Sequence, residues 1–171
     1  LGFGVIKKNQ ALNAAKSLID FRGHTYQKLT VKPSFGNIFL WKIIYLYNDN
    51  YFVDAVNLIA EPKFCFGSNL PKFHKEKFYK FLKNDNLQYI DIQRFEWFSQ
   101  GYIAYDKKKR MIVDIRYSII PNDVRSLWGI RINSDKDYNG HVNWINDRET
   151  TKSQRQILID MILGNKCKKY F

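Results

Sequence analysis

Along 111–119 (MIVDIRYSI) apolar and polar positions alternate, the clearest strand signal in the chain. Met111, Val113, Ile115, Tyr117 and Ile119 share one side and are all apolar or aromatic, so that side faces a core. Ile112, Asp114, Arg116 and Ser118 share the other side, which sets an acid and a base near each other. Pro121 cannot continue a sheet ladder and stops the strand. Ser126-Leu127-Trp128-Gly129-Ile130 then restarts an apolar run and predicts the neighbouring strand.

The same reading extends along the chain. Asn9 can cap a helix over 10–21, where Leu12, Ala15, Leu18 and Ile19 form one stripe and Gly23 is the stop. The segment 24–32 alternates and predicts a strand ended by Pro33, followed by a turn at 34–37. The runs 38–47 and 51–60 are rich in Ile, Tyr, Phe and Val. Asn48-Asp49-Asn50 between them tolerates positive φ, so a hairpin is expected. Loop is expected over 61–71, and helices over 72–83 and 89–98. Strands at 102–105 and 110–119 pair across Asp106-Lys107-Lys108-Lys109, and 127–133 pairs with 141–146 across 134–140. Thr151 caps a last helix that ends before Gly164, and the Lys-rich tail 165–171 frays. The sum is one α+β domain over 1–171: a mainly antiparallel sheet of about six strands with N-terminal, middle and C-terminal helices packed on it.

A chain of 171 residues can bury a core without disulfides, and its 13 Phe, 11 Tyr and 4 Trp favour sheet. The 28 basic and 16 acidic residues give +12. The lysines are scattered and no Arg-rich arm or nucleic-acid motif appears, so a solvated basic surface comes before a nucleic-acid groove. An anionic lipid surface or an acidic protein fits that surface. Cys65 and Cys167 match no metal or disulfide pattern and read as free thiols in a reducing compartment. The longest apolar run, 38–47, contains Lys42 and is too short for a membrane helix of about 20 residues. Apolar residues 1–6 running into Lys7-Lys8 fit the cytoplasmic end of a membrane helix with its basic flank over 1–8.

His24, His74 and His141 lack HxH or HxxxH spacing, so no metal site is expected in this chain. His24 reads first as a polar cap. Asp114 and Arg116 read first as an ion pair, and second as a guanidinium oriented for a phosphate or carboxylate. Asp54, inside an aromatic strand, has the same two readings, and Asn37 is a turn residue before it is a ligand. Ser99 lacks a GxSxG context. Trp41, Trp97, Trp128 and Trp144 read as core and rim aromatics. Residue types and spacing define no reaction.

Three segments, in order, carry a resemblance. Val31-Lys32-Pro33-Ser34-Phe35-Gly36-Asn37 with Leu40-Trp41-Lys42 resembles a P-x-x-G-N … W-R segment. Phe95-Glu96-Trp97-Phe98-Ser99-Gln100-Gly101 resembles F-x-W-F-S-x-G. Asp114-Ile115-Arg116-Tyr117-Ser118 with Pro121 and Leu127-Trp128-Gly129-Ile130 resembles D-x-R-Y-x-x-L-P … LWGI. All three are similar to the YdjM-like membrane-bound metal-dependent hydrolases of the bacterial inner membrane. Lys42 stands where Arg is commoner, and Ile120 where Leu is.

The resemblance implies that the chain is the soluble C-terminal domain on the cytoplasmic side. A bundle of membrane helices upstream would be its partner and would hold a divalent metal, with no cofactor in this fragment. Its role would be to cover or gate the membrane site or to bind an anionic partner. The alternatives are a basic nucleic-acid-binding module and a self-standing hydrolase of a phosphoester or lipid-like substrate. Asp114, Arg116, Asn37, Trp41 and Asp54, with Arg22 and His24, are the expected members of a shared polar pocket.

Overall fold

The first sheet grows from a two-residue turn at Asn48 (φ 46°) and Asp49 (φ 60°), the left-handed pair that suits a tight hairpin. The computed structural model describes residues 2–78, 86–133 and 140–169. The turn joins β2 (Leu40–Tyr47) to β3 (Asn50–Asn57), and β1 (Lys28–Pro33) pairs antiparallel on the other side of β2. The segment 61–71, expected as loop, instead adds β4 (Lys63–Cys65) and β5 (Asn69–Pro71), which pair with the two halves of β3. Gly67 sits between them. A Cβ there would collide with the backbone oxygens of Asn122 and Val53, so only glycine lets the chains pass.

Ahead of this sheet, α1 (Gly2–Phe21) buries Ala11, Ala14, Ala15, Leu18 and Ile19. Three of the five are alanines, so the helix lies close against Trp41, Ile43, Tyr45 and Val56. Asn9 is no cap: the helix already runs from Gly2, and Phe3, Val5 and Ile6 stand exposed on it. Gly23 (φ 64°) ends the helix, with the His24 N–H donating to Ile19 O at 3.1 Å.

The second sheet has the order β6 (Ile103–Asp106), β7 (Met111–Asp114), β8 (Trp128–Arg131) and β9 (Asn143–Asn146), all antiparallel. β7 ends at Asp114 rather than at the proline. The Asp114 carboxylate takes the Arg116 N–H at 3.1 Å and curls the chain out of the ladder. A short α2 (Lys75–Phe78) and α3 (Leu87–Phe98, capped by Asn86) precede this sheet. The expected helix 72–83 falls outside the described residues from 79 on, and so does the link 134–139 between β8 and β9. α4 (Lys152–Ile162) opens with the capping box Thr151/Gln154. Cys167 beyond it lies against Leu40, Ala55, Cys65 and Met161.

The fold is α+β, as the pattern predicts. The strands, however, divide into a five-stranded and a four-stranded sheet among the described residues, not one sheet of about six. The reason lies in the side chains. Ile44, Leu46, Tyr51 and Val53 on the back of the first sheet pack on Ala104, Met111, Val113 and Ile115 of the second. Ile103, Ile112 and Ile130 on the far face of the second sheet pack on Ile92 and Phe95 of α3. Apolar residues on both faces let each sheet be covered twice, giving the layers α1, sheet, sheet, α3.

Candidate cationic cleft between the sheets

β2 presents its side chains to two different environments. Trp41, Ile43 and Tyr45 face α1, whereas Lys42 points the other way with Leu40, Ile44 and Leu46. Sheet two covers Ile44 and Leu46, and α4 with Cys65 covers Leu40. Lys42 lies between those two covers. The 115–127 connection closes over it: the Lys42 ammonium donates to Ser118 Oγ at 2.8 Å and to Asp123 O at 3.0 Å. Two of its three N–H donors are thereby used. The side chain is 4% exposed, and burial pulls its pKa down to about 7, against the weaker opposing pull of Asp123 and Asp114.

In the β1–β2 register Lys32 is directly opposite Lys42, on the same face. Lys32 Nζ donates to Tyr117 Oη at 2.8 Å and sits 4.0 Å from the centre of that ring. Lys32, Lys42 and Arg116, with Pro33, Phe35, Tyr117, Ser118 and Pro121, line a cavity of about 230 Å³. Arg116 is held in place from below. Its Nε and Nη2 donate to Asp114 at 2.9 and 2.7 Å, and Nη2 also donates to Phe98 O at 3.0 Å. Burial works against the Arg116 charge, yet Asp114 raises its pKa overall. Asp114 is fully buried and takes Arg116 as its ion-pair partner, and its pull on Lys42 is too weak to offset burial.

The seven residues expected in one pocket fall in three places. Asp114 and Arg116 form the buried pair beneath the cleft, with Arg116 on its wall. Arg22, His24 and Asp54 gather on the opposite face of the first sheet, at the end of α1. Arg22 donates to Asp54 at 2.7 and 2.9 Å and to Tyr45 Oη at 2.8 Å, and Gly67 N donates to Asp54 at 3.0 Å. His24 Nδ1 is 2.9 Å from Tyr45 Oη, and the ring stacks on Tyr47 at 4.1 Å. Burial and the Arg22 charge depress the His24 pKa. Every member of this group is spent on another, so the cluster is a strut between α1 and β3.

Asn37 belongs to neither group. Its Oδ1 accepts from Phe39 N and Leu40 N at 3.1 and 2.7 Å, holding the turn before β2. Trp41 packs toward α1 and donates to Ile38 O at 2.8 Å, across the sheet from Lys42 and Arg116. A single pocket of all seven is therefore corrected: strand alternation sends neighbours of one strand to opposite faces.

Cys65 and Cys167, read as free thiols, are joined in a disulfide with their Cα atoms 4.3 Å apart. Their sequence separation of 102 hid a contact made only when the tail returns beside β4, where Lys168 and Phe64 exchange backbone bonds. Among the described residues no group of three or more His, Cys, Asp or Glu side chains could hold a metal. No helix among them is long and apolar enough to cross a membrane. Comparison with protein-family models, with curated proteins and with solved structures finds no match.

Sequence reasoning passed over Lys32, Lys42 and Tyr117 as site residues. Lys42 did carry a signal, a lone charge at an inward position of an apolar strand, where an ion needs a reason to be. Lys32 carried none until the register set it opposite Lys42.

Chemically, the cleft can do two things. Protonated, Lys42 joins Lys32 and Arg116 as an anion site with a fixed backbone frame. Deprotonated, it is a neutral amine near physiological pH, the form a base or nucleophile requires. The neighbouring cations disfavour the ammonium while the cleft is empty, and a bound anion reverses that balance, which is the first use.

Proposed function

We propose that this chain is the water-exposed domain of a membrane-bound metal-dependent hydrolase, and that it binds an anionic group of substrate or partner in the Lys32–Lys42–Arg116 cleft. One observation carries the anion reading: two lysines opposed on neighbouring strands, each hydrogen-bonded to neutral oxygens. A bound phosphate or carboxylate would remove their repulsion and take the remaining Lys42 donor. The resemblance of the three segments around Pro33, Trp97 and Trp128 supports the hydrolase context, and two of those segments supply walls of the cleft. The exposed apolar turns of α1 support a neighbouring membrane. In this reading the catalytic divalent metal belongs to the membrane part, and the domain presents or retains the anionic group.

Calorimetric titration with inorganic phosphate tests the site. Binding at low ionic strength is expected for the natural sequence and a loss of at least tenfold for Lys42→Met and for Lys32→Met. Unchanged affinity in both variants would sink the anion reading. The hydrolase context predicts apolar spans of about 20 residues encoded upstream in the natural gene. Their absence would remove that context without touching the cleft.

A further inference from the structure

The cationic cavity does not end at its cations. Phe35 and Tyr117 line it, and both also line a second hollow of about 600 Å³. That second hollow continues over Ile119, Leu127, Trp128 and Leu158. Arg148 and Arg155 stand at it, the former with its guanidinium 5.5 Å from the centre of the Trp128 ring. The two hollows therefore adjoin at Phe35 and Tyr117, one lined by cations and the other apolar with a basic rim. Neither half alone defines a ligand: a bare anion leaves the apolar half wet, and a neutral apolar molecule leaves Lys32 and Lys42 opposed.

We infer that the cleft takes a single-chain amphiphile with an anionic head, of the alkyl phosphate or acyl carboxylate class. The head lies against Lys32, Lys42 and Arg116, and the chain passes between Phe35 and Tyr117 onto Ile119 and Trp128. The inference rests on the anion reading above and adds the tail. Phe35 joins the two hollows: it is 62% exposed and walls both. An exposed ring there is accounted for by a ligand that covers it. The source of the amphiphile can be a membrane lipid or a soluble lipid fragment, and the chemistry of recognition is the same for both.

The test compares inorganic phosphate, octyl phosphate and the neutral octyl glucoside, all as monomers, by calorimetry and by Trp128 fluorescence. Each methylene that leaves water multiplies affinity by roughly fourfold. Octyl phosphate is therefore expected to bind about sixtyfold more tightly than phosphate, from roughly three buried methylenes. Ile119→Asn and Leu158→Asn, at two half-buried residues that line the second hollow and not the first, are expected to remove that gain while leaving phosphate affinity unchanged. Octyl glucoside is expected not to compete.

Octyl phosphate binding within threefold of phosphate, still sensitive to Lys42→Met, would overturn the tail site and leave the anion site standing. Octyl glucoside binding as tightly as octyl phosphate would overturn the requirement for the head. Failure of both phosphate and octyl phosphate to bind would overturn this inference and the anion reading together. Vesicles of anionic lipid separate the two sources: extraction of a fluorescent lysolipid from them supports a membrane source, and binding of the free monomer without extraction supports a soluble one.

Discussion

Lys32 and Lys42 stand directly across from each other on adjacent antiparallel strands, and among the described residues neither forms an ion pair with a carboxylate. Their partners are the neutral oxygens of Tyr117, Ser118 and Asp123. Like charges so placed on a sheet cost up to about 1 kcal/mol. Burial of Lys42 adds a larger penalty, visible in its lowered pKa. A cation kept in such a place is worth testing first for what it binds.

The stability of Lys42→Met should exceed that of the natural sequence at pH 6 to 7. The folded pKa is about 7 against 10.5 in the unfolded chain, so between these values only the unfolded state holds the proton. Stability of the natural protein relative to the variant therefore rises with pH across that window, by about 1.4 kcal/mol per pH unit at most. Below about pH 7 both states are protonated and the gap is constant. Urea unfolding of both proteins at pH 6, 8 and 10 checks this, and a gap independent of pH would show that Lys42 titrates normally.

Anion affinity should fall as pH rises through 7. Sulfate is the suitable probe, because it keeps its charge over this range while Lys42 loses its proton. Affinity at pH 8.5 is expected to be roughly tenfold weaker than at pH 6, since the uncharged amine no longer attracts the anion. In Lys42→Met the residual binding should be flat over the same range. Calorimetry in two buffers of different ionisation enthalpy would also register proton uptake on binding near pH 8.

Asp114→Asn should be among the most damaging changes in the protein. It leaves the Arg116 guanidinium, 6% exposed, without its counter-charge. Removing one member of a buried ion pair costs about 3–5 kcal/mol. Asp54→Asn should cost less, because Arg22 is 21% exposed and can reach water. The urea midpoints of the two variants give the comparison, and equal losses would count against this account of the Arg116 pair.

The Cys65–Cys167 bond closes a loop of 102 residues and holds the C-terminal segment against β4. Reduction, or Cys167→Ser, is expected to lower stability by on the order of 2–5 kcal/mol. A non-reducing peptide map should recover the cross-linked pair from protein in its native compartment. Recovery of free thiols there would show that the pair stays reduced in that compartment, since persistent disulfides belong to oxidising ones.

Much of the fold was legible because local rules set it. Asn48-Asp49 with its positive φ values, Gly23 and Gly164 as helix stops, Thr151 with Gln154 as a capping box, and the 3.6-residue stripe of α1 are decided within a few residues. The hairpin of β6 and β7 across Asp106 is equally local, since the Asp106 carboxylate accepts from Lys108 N and Lys109 N at 2.9 and 3.1 Å. The Asp114–Arg116 couple was legible for the same reason.

What sequence alone determined, then, is the set of helices and strands, the alternation that turns Lys42 inward, and the pairing of near neighbours. Only the tertiary structure decided that the strands form two sheets, that 61–71 adds two edges to the first, and that Cys65 meets Cys167. It alone set Lys32 opposite Lys42 and laid the 115–127 connection over them, making a cleft whose hydrogen-bonded partners lie 76 to 85 positions apart. The physical reason is that side-chain period and turn chemistry act over a few residues, whereas register and sheet partner are chosen by apolar surfaces that meet only once the whole chain has collapsed.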